Sequence, residues 1–578
     1  MKNLYFEKVK FFNKKNHIYF SDWCFSDREA LKIVLKKKNS SNYVANNYWN
    51  DLKKKKNELF LRNSINQYFN KLSKKLNVYH NVNYSKKYWR IVIFPWLNVI
   101  IPFIFIRWRM IESIKHKHHY KAQIYNFNEQ DIIFNNFSDF KYGKDNDLWV
   151  ISKIIEFKKD IKYENNIKLN LRKNLNVSFF DNLKSFFVIK FFNLFNLFFK
   201  NSFFLSNLTV NKYLNCIIYL RLKQFPFFWI KPFYSNKEIN IVKRKNFLNS
   251  KKKKSFQGFL ESITYILLPK SYLENFQSIK NSVLNSYLNS SYKKIITSYD
   301  YKANDEFKIW TAEMSNKGTK YYILQHGGAF GSNKFEPEEY YIKKICDKFL
   351  TWGWKDKNKN VTPFYPIGLD HKYKYLSNKN CNKILIIYHF YEKYASRISS
   401  HPNSNLERVR KNLQLKLLIK GIYKMQNNTQ LSLTLRYQKG IDIFWHQEFD
   451  ENYFDPYVNY DYCEKKLKNV LDNYKLVIHG SSSTTFLETM FYNCPSILIL
   501  DKFSQNFRKQ SKNIMDLLER QNIIFYETDK ASKFINNNIN NIDKWWFSDD
   551  VQILRKKFCE EYVRNTDSIF KKIKEIVK

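Results

Sequence analysis

A run of small hydroxyl residues follows an apolar stretch of the chain and could bind an anion. The stretch at 476–478 predicts a buried strand, and the run after it opens a predicted helix. Backbone N–H groups and the helix dipole at such a point attract phosphate. An ordinary Ser or Thr N-cap would explain one hydroxyl, but not five in a row. The residues predicted to bind a phosphorylated donor are Gly480, Ser481, Ser482, Ser483 and Thr484. Glu488, one turn into the helix, is suited to accept hydrogen bonds from sugar or ribose hydroxyls.

A second motif carries a histidine in a glycine-rich turn. Residues 321–324 predict a strand that ends in Gln325, His326, Gly327 and Gly328. Glycine lets the backbone approach a ligand closely, and side chains at strand ends often serve catalysis or binding. A structural histidine in a plain turn explains the motif equally well, so these four residues are a predicted substrate loop with that alternative open.

The strands and helices that position these motifs alternate along the second half of the chain. Such alternation predicts a parallel α/β architecture, with ligands bound beyond the carboxyl ends of the strands. We expect an acceptor-side α/β domain over residues 1–375, in which 151–260 is poorly readable and could be an insertion. A doubly wound, Rossmann-like nucleotide-binding domain is expected over 376–540, and a helical tail over 541–578.

The composition narrows the function classes. The 578 residues carry a net charge of +47, which fits a nucleic-acid binder, a protein attracted to an anionic membrane, or lysine drift on a solvated surface. The lysine runs lie in no recognised nucleic-acid module, so nucleic acid is an unlikely partner. The seven cysteines form no CxxC pair, which favours a reducing cytoplasm, and no metal site is expected.

Two segments bear on membrane attachment. Residues 91–106 are apolar but short for a span, and Pro95 and Pro102 are expected to interrupt them. Residues 186–205 are rich in Phe but contain Lys and Asn, which suits either a helix in the membrane interface or an ordinary core helix. With no signal peptide expected, the predicted location is the cytoplasm, peripheral to the inner face of the membrane.

An ordered set of motifs resembles a family of surface-carbohydrate transferases from O-antigen and capsule gene clusters. The set comprises YWR at 88–90, PW at 95–96, LPxxYLE at 268–274, QHGGxxG at 325–331, FLTWGW at 349–354, SSTTFLET at 482–489 and WW at 545–546. The resemblance implies a fold similar to GT-B glycosyltransferases, in which two Rossmann-like domains face a cleft and the C-terminal one binds the donor nucleotide. Where the family has Gly before the Ser-Thr pair, this chain has Ser482.

The resemblance also implies a mechanism. Arg436 and Arg508 are candidates to stabilise the leaving phosphate, and His326, with Glu313 as second choice, to act as general base. The expected substrates are a nucleotide-activated sugar and a carbohydrate or lipid-linked acceptor, with no cofactor and no metal. Three alternatives stay open: a polyol-phosphate transferase or a nucleotide-sugar epimerase on the same fold, and a basic nucleic-acid-binding protein.

Overall fold

The described part of the chain forms three parallel β-sheets with helices packed around them. The protein is represented by a computed structural model. The described residues are 2–7, 17–36, 51–140, 144–168, 179–199, 201–209, 211–226, 236–247, 254–286, 292–378, 381–388, 394, 396–398, 404–424, 431–437, 458–501 and 507–578.

The first sheet is built from the beginning of the chain and has the order β2-β1-β3-β4. Its strands are β1 (Lys2–Tyr5), β2 (His17–Tyr19), β3 (Tyr120–Asn126) and β4 (Lys162–Lys168). Its helices are α1 (Asp27–Lys36), α2 (Asp51–His80), α3 (Lys86–Ser113), α4 (Glu129–Ile132) and α5 (Lys144–Lys158).

The second sheet follows chain order, β5-β6-β7-β8-β9. Its strands are β5 (Phe203–Ser206), β6 (Lys294–Thr297), β7 (Lys320–Leu324), β8 (Lys348–Thr351) and β9 (Val361–Pro363). Helices of this part are α6 (Phe179–Phe198), α7 (Lys212–Arg221), α8 (Ile241–Phe247), α9 (Phe256–Ser262), α10 (Thr264–Leu267), α11 (Phe276–Ser286), α12 (Asp305–Asn316) and α13 (Pro337–Ile345). Residues 151–260 thus supply β4 and β5, one strand to each of the two sheets.

The third sheet has the order β12-β11-β10-β13-β14-β15, the 3-2-1-4-5-6 order of a doubly wound Rossmann fold. Its strands are β10 (Lys383–Ile387), β11 (Ser432–Arg436), β12 (Asn459–Asp461), β13 (Leu476–His479), β14 (Ser496–Ile499) and β15 (Ile524–Phe525). Its helices are α14 (Asn405–Lys424), α15 (Thr484–Phe491), α16 (Lys509–Arg520) and α17 (Thr528–Asn538), and the tail adds α18 (Ile542–Trp546), α19 (Asp549–Tyr562) and α20 (Ile569–Val577). The α/β fold class predicted from the sequence is confirmed.

Helix α3 packs between the helices of the first two sheets. It packs against α2, α5, α12 and α13. It runs through Pro95 and Pro102, which were expected to interrupt it, because burial on nearly all sides outweighs the two backbone hydrogen bonds lost at proline. By length and composition α3 could cross a membrane, but 89% of its most apolar window is buried in protein, as in a core helix.

The helical tail returns from the third sheet to the second. On one face of the second sheet, Ile573 and Val577 of α20 join a core with Ile218 of α7 and with Ile296 and Tyr322 of the sheet. The tail also passes so close to the turn after β8 that a Cβ on Gly353 would lie 2.7 Å from the carbonyl oxygen of Glu560.

Candidate active site

The two motifs that the sequence singled out meet in space. The backbone N–H of Gly328 donates to Oγ1 of Thr484, 156 positions further along the chain, at 2.9 Å. A Cβ on Gly328 would lie 2.7 Å from the backbone of Ser483 and Thr484, so only glycine fits there. The glycine-rich turn after β7 therefore rests against the beginning of α15, and the carboxyl ends of the second and third sheets face one another.

A cavity of about 180 Å³ opens beside this contact, at the carboxyl ends of β10, β11 and β13. The strand order reverses between β10 and β13, which is the point where doubly wound sheets bind their ligands. The lining residues are Ile387, Tyr388, Arg436, Tyr437, Cys463, His479, Gly480, Ser481, Ser483 and Thr485. Three predicted loop residues and Arg436 thus share one cavity.

The hydroxyl loop leaves polar groups unused. Oγ of Ser481 is buried and has no hydrogen-bond partner among the described residues. Ser483, at the N-cap position of α15, makes no capping hydrogen bond with its side chain. The first N–H groups of a helix also lack intrahelical acceptors. The loop therefore does not cap α15 in the ordinary way, and its Gly480, Ser481 and Ser483 lie on the wall of the cavity.

Arg436 lines this cavity, whereas Glu488, one turn into α15, is not among the lining residues. Arg436 ends β11 on its wall, held by the Asp461 carboxylate and the carbonyl oxygen of Lys465. Burial raises the pKa of Glu488 to about 7, although Arg436 and nearby lysines act in the opposite direction. Within the described part of the chain, no residue donates a hydrogen bond to the Glu488 carboxylate. Its role as an acceptor for a sugar or ribose hydroxyl stays a prediction.

His479 is a cavity residue that the sequence analysis did not select. Its Nε2 lies 2.9 Å from Oγ1 of Thr489, and burial lowers its pKa to about 3. It is therefore a neutral imidazole on the cavity wall. Because His479 is the last residue of β13, next to Gly480, its position at a strand end could have identified it from the sequence.

His326 lies at the end of β7 in a cluster of titratable side chains. Its Nε2 accepts a hydrogen bond of 3.0 Å from the Lys302 ammonium, and its Nδ1 lies 3.4 Å from the Tyr301 hydroxyl. The Glu338 carboxylate pairs with Lys302 at 2.7 Å and lies 3.6 Å from Nε2 of His326. Because an ammonium group only donates, the imidazole is neutral, with its proton on Nδ1.

The pKa values of this cluster follow from burial and charge. Burial lowers the pKa of His326 to about 4, and Lys302 adds to that shift while Glu338 opposes it. Burial alone would raise the pKa of Glu338, but Lys302 and His326 outweigh it and bring the pKa to about 2. The cluster thus holds a neutral histidine beside a charged Lys–Glu pair. Sequence reasoning missed Lys302 and left Glu338 without a role.

Gln325 has a structural role. Its side-chain amide donates to the carbonyl of Gly327 at 2.7 Å, and its Oε1 accepts from the backbone N–H of Trp352 at 3.0 Å and Nε1 of Trp354 at 2.8 Å. Both polar groups are therefore used in tying the glycine-rich turn to the turn after β8.

Two predicted residues lie where their predicted roles cannot be performed. Arg508 forms an ion pair of 2.6 Å with the buried carboxylate of Glu339 and also donates to the carbonyl of Asn333. It joins the second sheet's part of the chain to the third sheet's part and does not line the cavity.

Glu313 is on the last turns of α12, which precedes the amino end of β7, and it accepts from the hydroxyls of Tyr84 and Tyr88. It therefore lies at the opposite edge of the sheet from His326, and the choice of Glu313 as a base is corrected.

The LPxxYLE motif at 268–274 has a structural role. Ser271 and Tyr272, of the LPxxYLE segment, donate to the buried Asp305 at 2.6 and 2.8 Å. Glu274 of the same segment pairs with the buried guanidinium of Arg244. The segment thus anchors the beginning of α12.

A family model decides the protein's class. The model described as LIC12162 family transferase matches residues 7–576. The chain belongs to the LIC12162 transferase family. The prediction that this chain is a transferase is therefore confirmed. No protein with a curated description matches this LIC12162 family member in sequence.

Solved structures resemble this LIC12162 family transferase only distantly. Anabaena HepE, in complex with UDP-glucose, is 10% identical and the match covers 65% of this chain and 98% of HepE, with a TM-score of 0.36. The wall teichoic acid polymerase TagF is 10% identical over 52% of this chain and 84% of TagF, with a TM-score of 0.28. Acinetobacter baumannii MurG is 9% identical over 53% of this chain and 78% of MurG, also with a TM-score of 0.28. Likenesses of this size transfer no ligand to the chain.

Proposed function

We propose that this transferase is a glycosyltransferase that moves a sugar from a nucleotide-activated donor to a bacterial surface-carbohydrate acceptor. The observation that carries the proposal is the cavity at the strand-order reversal, which Ser481 and Ser483 line at the beginning of α15. Among the described residues the buried Ser481 hydroxyl has no hydrogen-bond partner, and the Ser483 side chain makes no capping hydrogen bond. An anionic phosphate satisfies these donors, because helix N-termini and oriented hydroxyls stabilise negative charge.

The residues divide the reaction between the two sides of the cleft. The loop at 480–484 and Arg436 hold the donor phosphates, and Glu488 accepts from a ribose or sugar hydroxyl. His326 takes the proton of the acceptor hydroxyl on Nε2, once Lys302 has turned away from that atom. The acceptor oxygen bonds to the anomeric carbon, the bond from that carbon to the phosphate oxygen breaks, and the nucleotide leaves with the electron pair. The dipole of α15 and Arg436 offset the charge that develops, and no metal or cofactor takes part.

A ligand screen followed by product analysis tests the proposal. Nucleotide sugars are expected to raise the melting temperature of the protein, because they bind only the folded state. Sugar transfer from a nucleoside-diphosphate sugar releases a nucleoside diphosphate. Release of a nucleoside monophosphate together with a product that retains a phosphate would indicate polyol-phosphate transfer, and turnover of the donor without acceptor would indicate an epimerase. If no nucleotide stabilises the protein while DNA or RNA binds with a steep salt dependence, the protein is a nucleic-acid binder and the proposal fails.

A further inference from the structure

Helix α6 presents a stripe of large apolar side chains to solvent. Positions spaced four, three and four residues apart lie on one face of a helix. The stripe, more than half exposed at 53–77%, consists of Phe187, Phe191, Leu194 and Phe198. The opposite face of α6 is anchored by Ile189 and Phe192, which are buried. The helix is therefore fixed to the protein by one face and leaves an aromatic face uncovered.

Neighbouring residues extend this surface. The ring of Phe195 packs against Phe225 with centroids 5.3 Å apart, and Asn201 donates to the carbonyl of Lys223 at 2.8 Å. These contacts place the end of α7 beside the end of α6. Helix α7 contributes two more exposed apolar side chains, Tyr213 and Leu220. An exposed apolar stripe such as the one on α6 marks an interaction surface.

The charge around the patch identifies what covers it. No Asp or Glu occurs from 182 to 237, while Lys and Arg occur at eight positions of that stretch. Lys190, Arg221 and Lys223 are exposed. A second copy of the chain, docked through the same patch, would bring two sets of cations together without a counter-charge. An anionic bilayer surface complements both the aromatic face and the lysines.

We propose that α6 lies in the headgroup region of an anionic lipid bilayer, with its aromatic stripe in the acyl boundary. The helix precedes β5 at the edge of the second sheet, which also carries His326. Docking would therefore hold the acceptor side of the cleft at the membrane. The proposal does not depend on the identity of the donor.

Vesicle flotation of the full chain tests this surface. Vesicles of phosphatidylcholine with phosphatidylglycerol are expected to carry the protein, and vesicles of phosphatidylcholine alone to carry much less. The triple change Phe187→Gln, Phe191→Gln and Phe198→Gln should lower binding by about tenfold or more, since apolar burial drives interfacial binding. The matched control changes Val78, Leu376 and Ile553 to Gln, three equally exposed apolar side chains elsewhere. It should bind as the unchanged protein does.

A charge-reversal variant separates the electrostatic part. Lys190→Glu, Arg221→Glu and Lys223→Glu keep the aromatic stripe and should abolish the preference for anionic vesicles. High salt should weaken binding of the unchanged protein, because the Debye length falls from about 10 Å at 0.1 M to about 3 Å at 1 M. Melting curves verify that each variant is folded. Equal binding to neutral vesicles, no binding to either, or loss of self-association in place of vesicle binding would each overturn the proposal.

Discussion

The two sides of the cleft differ in how completely their polar groups are paired. On the side of the second sheet, His326, Lys302, Glu338 and Tyr301 satisfy one another. On the side of the third sheet, the Ser481 hydroxyl is buried and has no hydrogen-bond partner among the residues that the structure describes. A buried polar group without a partner costs free energy unless a ligand supplies one.

The difference assigns the two sides different tasks. A network that is already complete fixes the position and protonation of its members before a substrate arrives, which suits a reacting group. A loop with spare hydrogen-bond donors suits the binding of a charged ligand. The contact between Gly328 and Thr484 keeps the two sides in register.

The largest expected effect separates proton transfer from nucleotide binding and comes from replacing the two histidines, His326 and His479. His326→Ala should lower turnover at saturating donor by about 10²–10⁴-fold, the usual contribution of a general base, while nucleotide affinity holds. His479→Ala is the matched change on the other side and should weaken nucleotide binding more than turnover. Turnover, a nucleotide titration and a melting curve for each variant check this. A fully active His326→Ala variant would remove the difference between the sides.

The contact between the sides is broken by adding one methyl group. Gly328→Ala places a Cβ 2.7 Å from the backbone of Ser483, so the loops must separate. We expect a loss of about 1–3 kcal/mol in the free energy of unfolding, as for other overpacked sites, together with reduced turnover. Gly368→Ala is the control, because its Cβ would meet only Thr209, at 3.8 Å. Denaturant unfolding of both variants measures the effect, and equal curves would contradict the close approach.

On the donor side, removal of a single hydroxyl should separate affinity from stability. Ser481→Ala should weaken nucleotide binding by about 0.5–1.5 kcal/mol, the net value of one hydrogen bond, without destabilising the protein. Ser511→Ala should destabilise the protein and leave nucleotide binding unchanged. Its hydroxyl donates to the carbonyl of Ser332 at a distance of 2.8 Å, and this bond is not part of the cavity. Calorimetric titration and melting curves on both variants provide the check. An unchanged affinity in Ser481→Ala would mean that the hydroxyl faces no ligand.

The smallest effect is expected in the pH profile of the His326 side. A histidine accepts a proton only in its neutral form. Because the pKa of His326 is lowered to about 4, kcat/KM should fall on acidification only near pH 4, and not near the ordinary histidine pKa of 6.5. Lys302→Met removes a cation that lowers this pKa. The pKa should therefore rise, and activity should be lost at a higher pH as the solution is acidified. A limb that stays in place would show that Lys302 does not act on His326.

The parts of this site that could be predicted are those set by local pattern. The strand at 476–479 and the hydroxyl run after it are adjacent in sequence, so their place at a strand end followed from alternation alone. The meeting of Lys302 and Glu338 with His326 could not be predicted, because it depends on how α13 and the segment before α12 pack across the sheet. The ion pair of Arg508 with Glu339 links residues 169 positions apart, and no sequence period reports such a contact.

The separate sheet formed within the first 170 residues was not predicted from the sequence. Strands β1 and β2 are four and three residues long, which leaves too little apolar alternation to identify a sheet. The course of α3 through two prolines also went against local propensity, since tertiary burial decided it.

The placement of α20 has a consequence for synthesis of the chain on the ribosome. The second sheet is complete once residue 363 has emerged, but the face around Ile296 and Tyr322, which Ile218 of α7 covers in part, is covered fully only when Ile573 and Val577 follow. At about 5–20 residues per second, some 200 further residues take roughly ten to forty seconds to appear. During that interval the nascent chain carries an apolar surface, so a product that stops before α20 retains a recognition site for chaperones and proteases.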